Sequence, residues 1–405
     1  MDNWPSLLIL SDEGPQMSTA GGIVLFRLLE DYPAERLRVI EASVEPGRTR
    51  LACRYDALTA PWRRFQFTRF HRWKSSLRAF GLEPSVSLSR VESLLKDFRP
   101  DVVLCVMECA AYYDSAWNFA RKHRLPLVVI VHDVNEQFEP VLPFALSAAR
   151  RRDGAFYRFA SRRLCVSPEM ERLCEELYGA HGDVLYPVRS SELQARPLEE
   201  TLHLKQLGKL TVGFAGNLNY GYGEELLRLL PAFRAAQARL LLFGNPPGGV
   251  AAALLDATDC CDFRGFAPTA AQAWQTIQNE CDVVILPYPN PGGAWGRLIQ
   301  HHFPSKLPEY LALGLPVVVT GPKYATGVKW ALNHPEAAAT CTALDPGELA
   351  RLLTRLRVEA GYRLALAEGG KNAGLMDFDP RRIKATFLGH IRAAAAEKCQ
   401  PASQP

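Results

Sequence analysis

Lys306 and Glu309 stand three residues apart in the stretch His301-His302-Phe303-Pro304-Ser305-Lys306-Leu307-Pro308-Glu309-Tyr310. At about 100° per residue they lie roughly 60° apart on one helix face. A cation and a carboxylate beside the open N–H groups of a helix start suit a phosphorylated ligand. An exposed ion pair on an ordinary helix has the same spacing. The run from Gly213 to Gly223 carries four glycines in eleven residues, which lets backbone N–H groups approach an anion; a plain tight turn uses glycine too. His132 and Asp133 follow the apolar run Leu127 to Val131. In an open parallel sheet, polar groups at a strand's carboxyl end face the ligand crevice; a capping aspartate beside a satisfied histidine is the competing reading. Gly21-Gly22 sits between the first apolar run and a helix, a weak form of a phosphate-binding turn. Finally, Arg48 to Phe80 holds nine Lys/Arg against Asp56 alone, interleaved with Trp62, Phe65, Phe67, Phe70, Trp73 and Phe80. That mixture suits an anionic membrane surface or a lipid-linked anionic substrate; a nucleic-acid surface or a merely solvated loop would look similar.

The elements that must position these groups alternate between strand and helix. Apolar runs of strand length begin at Ser6, Leu37, Asp101, Leu125, Arg163 and Asp183, and a second series at Leu210, Arg239, Asp262, Asp282 and Pro316. They are continuous rather than alternating, as in parallel strands covered on both faces. In the second half, helices are expected from Glu224, Ala252, Thr269 and Ser305, the last with Ser305 as N-cap and Gly314 as the stop. The polar stretch Ser190 to Pro197 lacks periodicity and reads as a linker. Asp379 to Lys398 reads as a last amphipathic helix with no domain of its own.

Composition narrows the classes. At 405 residues two domains are expected. Hydrophobic residues make up 48% and charged residues 22%, and a net charge of +4 gives no general case for nucleic acid. The ten cysteines form no C-x-x-C pair, so reduced, buried thiols are expected rather than a zinc or redox site. Met1 to Pro5 carry no basic n-region, so a signal peptide is not expected, and no apolar run approaches the roughly 18 residues that span a bilayer. The expected location is cytoplasmic, with peripheral contact at the inner membrane face through residues 48–80.

Taken together, Gly213-Phe214-Ala215-Gly216-Asn217-Leu218, Phe263-Arg264-Gly265, Asp282 to Tyr288 and Pro304 to Val318 resemble the nucleotide-sugar-binding domain of GT-B glycosyltransferases, particularly the glycosyltransferase 4-like group. The first half matches more loosely, through Gly21-Gly22, His132-Asp133 and Val166-Ser167. The resemblance implies an α/β fold with two Rossmann-like doubly wound domains facing across a cleft. Residues 1–189 would form the acceptor domain and 198–375 the donor domain, and 376–405 a crossover helix and tail returning to the first domain. It implies a nucleotide-diphosphate sugar as donor, a glycan or lipid-linked acceptor, retention of configuration, and no cofactor or essential metal.

The sequence departs from the group's pattern at instructive places. Asn217 and Tyr222 stand where the group places an Arg and a Lys on the diphosphate, and His301 replaces the first of two glutamates, of which Glu309 matches the second. The resemblance assigns donor binding to Gly216, Asn217, Arg264, Arg297, His301, Ser305 and Glu309, and acceptor binding to Gly21, Gly22 and Asp133. With the group's two cations missing, either Lys306 and Arg297 supply the charge, Lys306 and His132 then standing at the reacting centre, or donor binding has decayed. A nucleotide-sugar epimerase of the same architecture is the alternative enzyme. A catalytically silent sugar-binding subunit of a glycan-assembly complex is the non-enzyme alternative.

Overall fold

Runs such as Leu7-Leu8-Ile9-Leu10 and Val283-Val284-Ile285-Leu286 lose all solvent contact, which a strand manages only with helices on both faces of its sheet. The structure, a computed structural model, describes residues 4–398 apart from 46, 67, 134–135, 137–138, 290–297 and 343–344. Seven strands form the first sheet: β1 (Leu7–Leu10), β2 (Leu37–Glu41), β3 (Arg54–Ala57), β4 (Val102–Val106), β5 (Leu127–Val131), β6 (Arg162–Cys165) and β7 (Asp183–Val184). Six form the second: β8 (Leu210–Ala215), β9 (Ala238–Phe243), β10 (Cys261–Phe263), β11 (Val283–Pro287), β12 (Val317–Thr320) and β13 (Ala338–Cys341).

All pairings are parallel, in the orders β3-β2-β1-β4-β5-β6-β7 and β10-β9-β8-β11-β12-β13. Each order reverses direction once, between β1 and β4 and between β8 and β11. Those reversals are where open α/β sheets bind ligands, outside the strands' carboxyl ends.

The chain divides into two compact units. The first comprises residues 1–188, 301–303 and 380–405, the second 189–300 and 304–379. The C-terminal helix, Pro380–Lys398, thus belongs to the first unit. It buries Phe387 and Ile391 and packs on β4, β5 and the helix Ala20–Leu29. Its Lys384 bonds Asp31 at 2.7 Å and also reaches Glu30.

Two local readings change. The polar run Ser190 to Pro197 is anchored to the second unit: the Arg196 amide donates to the Leu313 carbonyl (3.1 Å), and its guanidinium to the Cys281 carbonyl (2.9 Å). The guanidinium supplies what the sequence periodicity could not show, a donor to the carbonyls at the end of the helix Ala270–Glu280. Ser305 precedes the helix Lys306–Ala312 but has helical backbone angles, and its side chain makes no cap bond. The stop at Gly314 has φ +71°, a left-handed position that suits glycine.

Candidate functional site

In the second unit, the loop after β8 opens with Gly216 (φ +149°) and closes with Tyr220 (φ +60°) and Gly221 (φ +86°), ahead of the helix Tyr222–Ala235. Asn217 is spent on shaping this loop: its Oδ1 accepts from the Asn219 amide (2.9 Å) and from Asn219 Nδ2 (2.8 Å). The Lys306 stem crosses directly over Gly216. A Cβ there would stand 1.9 Å from Lys306 Cε, so only glycine leaves room for the lysine. The ammonium lies 4.8 Å from the Tyr222 ring centroid and 5.4 Å from that of Phe214. Among the described residues it has no carboxylate partner, and burial pushes its pKa down to about 8.

Next to it, Glu309 is 3% exposed. Arg189 is close enough for the Glu309 charge to act on it, although burial, the larger effect, holds Arg189 below the usual guanidinium value. A cation against a glycine-rich loop, with a buried carboxylate on the same helix, can receive a diphosphate and the hydroxyls beside it. Gly216, Asn217, Ser305, Lys306 and Glu309 therefore share the carboxyl edge of this sheet at its reversal point.

In the first unit, His132 and Asp133 follow β5, as their position at the end of an apolar run implies. Burial would raise the Asp133 carboxyl, but the hydrogen bond with His302 (3.3 Å) and the charges of His302 and His132 hold it below its ordinary value. Burial pushes His132 down, against the pull of Asp133, and its Nε2 is buried without a hydrogen bond among the described residues. Gly21 and Gly22 lie in the first turn of the helix Ala20–Leu29. Gly22 is there for close packing, since a Cβ would meet Gln16 Cγ and Thr19 Oγ1 at 2.7 Å, whereas Gly21 faces open space apart from Glu13 at 3.9 Å.

The remaining expected residues are placed elsewhere. Arg264 is engaged by Asp262 (3.0 Å) and Glu280 (2.6 Å). His301 is part of the first unit, its carbonyl accepting from Ser167 Oγ (2.6 Å) and its ring 3.3 Å from the Glu169 carbonyl. Arg297 lies outside the described residues. The basic stretch 48–80 is largely neutralised: Arg48, Arg50, Arg54, Arg63, Lys74 and Arg78 all pair with carboxylates. Segments far away in sequence supply the partners of Arg63, Lys74 and Arg78, so the stretch alone could not reveal them.

Two residues were missed. Glu108 follows β4 at the carboxyl edge, and burial, with the nearby charges of Asp133, Glu13 and Asp12, raises it to about 7. The strand-end rule that singled out His132 would have found it. Arg189 lies just before the aperiodic polar stretch Ser190 to Pro197 and carries no signal of its own.

Residues 23–187 match the model of a glycosyl transferase 4-like domain, and residues 209–357 that of glycosyl transferases group 1. Among solved structures, Anabaena HepE in complex with UDP-glucose is similar with a TM-score of 0.68 and 16% identity, covering 96% of this chain and 99% of that one. Sucrose-phosphate synthase from Thermosynechococcus elongatus gives 0.71 and 14%, covering 98% and 100%. The trehalose 6-phosphate synthase of Burkholderia multivorans gives 0.59 and 14%, covering both chains completely. At these identities the likeness is one of fold. No curated protein sequence matches the chain.

Proposed function

Because the chain belongs to the GT-B glycosyltransferases, we propose that it moves a sugar from a nucleotide-diphosphate donor to an acceptor hydroxyl in glycan assembly, with retention of configuration. The observation that carries this reading is the Lys306 ammonium resting over Gly216 without a carboxylate partner among the described residues. As the glycosidic bond breaks, charge develops on the leaving diphosphate, and a fixed cation in a water-poor site stabilises it. Glu309 accepts the donor's ribose hydroxyls, while the first unit offers Gly21, Asp133 and His132 to the acceptor. HepE, whose structures hold UDP and UDP-glucose, makes uridine donors the first to try.

The first test is a melting-temperature screen against UDP, GDP, ADP and their sugars, because a ligand that binds only the folded state raises the melting point. Failure of every nucleotide to shift it would overturn the donor site. Glu309→Gln should weaken the nucleotide that does bind by about 1–3 kcal/mol, the range for hydrogen bonds to a charged group. Unchanged affinity by calorimetry would remove Glu309 from the ribose.

The cation at this site belongs to the protein, so turnover is expected to survive EDTA; complete loss restored by Mn²⁺ or Mg²⁺ would sink the metal-independent reading. A second reading, a silent subunit that binds a nucleotide sugar without transferring it, gains from Asn217 being absorbed by its own loop. Nucleotide binding with no nucleoside diphosphate released in the presence of any acceptor would favour it.

A further inference from the structure

The helix His71–Ala79 is folded inside out. Its buried face is polar and charged: His71, Lys74, Ser75, Ser76 and Arg78 are each under a tenth exposed. Glu139 receives His71 Nε2 (3.3 Å), Lys74 Nζ (3.3 Å) and Ser75 Oγ (2.6 Å). Arg78 is clamped by Asp114 and Asp153. These anchors fix the helix's rotation, and its apolar side is left facing water. Phe70, Trp73, Leu77 and Phe80 recur at intervals of three and four residues, within about 80° of arc. They are 46%, 57%, 36% and 53% exposed. Phe144, 65% exposed, stacks on Phe80 with centroids 6.3 Å apart and extends the patch. Single exposed apolar side chains are ordinary, but a contiguous aromatic stripe marks an interaction surface.

Charge selects the partner. No Asp or Glu occurs from Ala57 to Leu82. Of the cations in that interval, Arg64, Arg69 and Arg72 have no carboxylate partner among the described residues. Arg64 and Arg69 lie over the Phe65 and Phe70 rings, 4.9 and 4.8 Å from their centroids. Aromatic rings among arginines fit the boundary between lipid headgroups and acyl chains, where rings partition and basic side chains meet anionic phosphates. A protein face would need acidic groups to match the arginines, and a second copy of this patch would bring only further arginines. We propose that this stripe docks the protein on a membrane surface rich in anionic lipid. The inference goes beyond the transferase reading and stands whether or not that reading holds.

The test is co-sedimentation with vesicles of phosphatidylcholine alone and with a third of the lipid replaced by phosphatidylglycerol, at low and high salt. The wild-type chain should bind the anionic vesicles and lose affinity as salt screens the arginines. Replacing Arg64, Arg69 and Arg72 together by Gln should cut that binding about a hundredfold, at about fivefold per arginine. Trp73→Ser with Phe80→Ser should abolish it. These side chains are exposed, so an unchanged melting temperature will certify each variant as folded. The proposal fails if folded wild-type protein ignores anionic vesicles at low salt, or if binding survives both sets of substitutions. It fails equally if light scattering shows a dimer that Trp73→Ser dissociates, which would give the face to a second copy.

Discussion

Lys306→Ala lowers the turnover rate by roughly two to three orders of magnitude, the scale for removing one preorganised charge stabiliser. The expectation rests on where the lysine lies rather than on its type. Its stem is threaded over Gly216, and its ammonium lies against the rings of Phe214 and Tyr222, so the charge is already in place when the diphosphate arrives. Lys306→Arg should keep part of the rate, because the charge survives while the longer, planar head no longer fits the glycine niche. Gly216→Ala offers a second route to the same loss: the new methyl would occupy the lysine's path and displace the ammonium without removing it.

The pKa of about 8 adds a signature. The ammonium form binds the anion, so deprotonation above that value weakens binding. For the nucleoside diphosphate that raises the melting point, affinity should fall about tenfold between pH 7 and pH 9, following the linkage between proton and ligand. In Lys306→Ala it should be flat over that range. A variant that turns over normally, or a wild-type affinity independent of pH, would assign the diphosphate to another group.

What the sequence disclosed was governed by the range of the interactions involved. β1, β4, β5, β8, β11 and β12 are legible because a strand covered on both faces is a continuous apolar run; the strand order, and with it the reversal points, is set by tertiary pairing. β3, Arg54–Ala57, is a short polar edge strand with exposed ends, and β13 is Ala-Ala-Thr-Cys; neither carries that signal.

In the site, Lys306 and Glu309 share a helix, so their pairing is a local fact. The crossing of Lys306 over Gly216 joins residues 90 positions apart, and Arg189 meets Glu309 across a still longer interval. The helix His71–Ala79 is the sharpest case. Periodicity identifies its apolar stripe but would turn that stripe inward, because hydrophobic patterning takes the apolar face to be the buried one. Asp114, Glu139 and Asp153, scattered over three later segments, reverse the choice.

That reversal makes Arg78 the residue on which the first unit's stability should depend most. Its guanidinium is 3% exposed. Nε and Nη2 donate to the two oxygens of Asp114 at 2.9 and 3.0 Å, and Nη1 donates to Asp153 Oδ1 at 2.9 Å. The Tyr113 hydroxyl donates to the same Asp153 oxygen (2.9 Å), and the Tyr113 ring lies 4.7 Å from the guanidinium carbon. Burial opposes the charged guanidinium, yet the surrounding tyrosine and carboxylates prevail and keep its pKa well above normal. Arg78→Met keeps much of the volume but strands two carboxylates in a site built for three charges. Breaking a buried ion pair from one side costs about 3–5 kcal/mol, most of it the penalty of the unpaired charge. Arg152 still reaches Asp114 (3.1 Å), so Asp153 is left the more exposed to that penalty. Urea denaturation followed by circular dichroism should show the loss in the transition of the first unit. Adding Asp114→Asn and Asp153→Asn to Arg78→Met should restore more than half of it, since the stranded charges are then gone. A loss below about 1 kcal/mol for the single variant, the scale of an exposed pair, would mean that water reaches this network. The helix would then owe its inside-out orientation to something other than the charges beneath it.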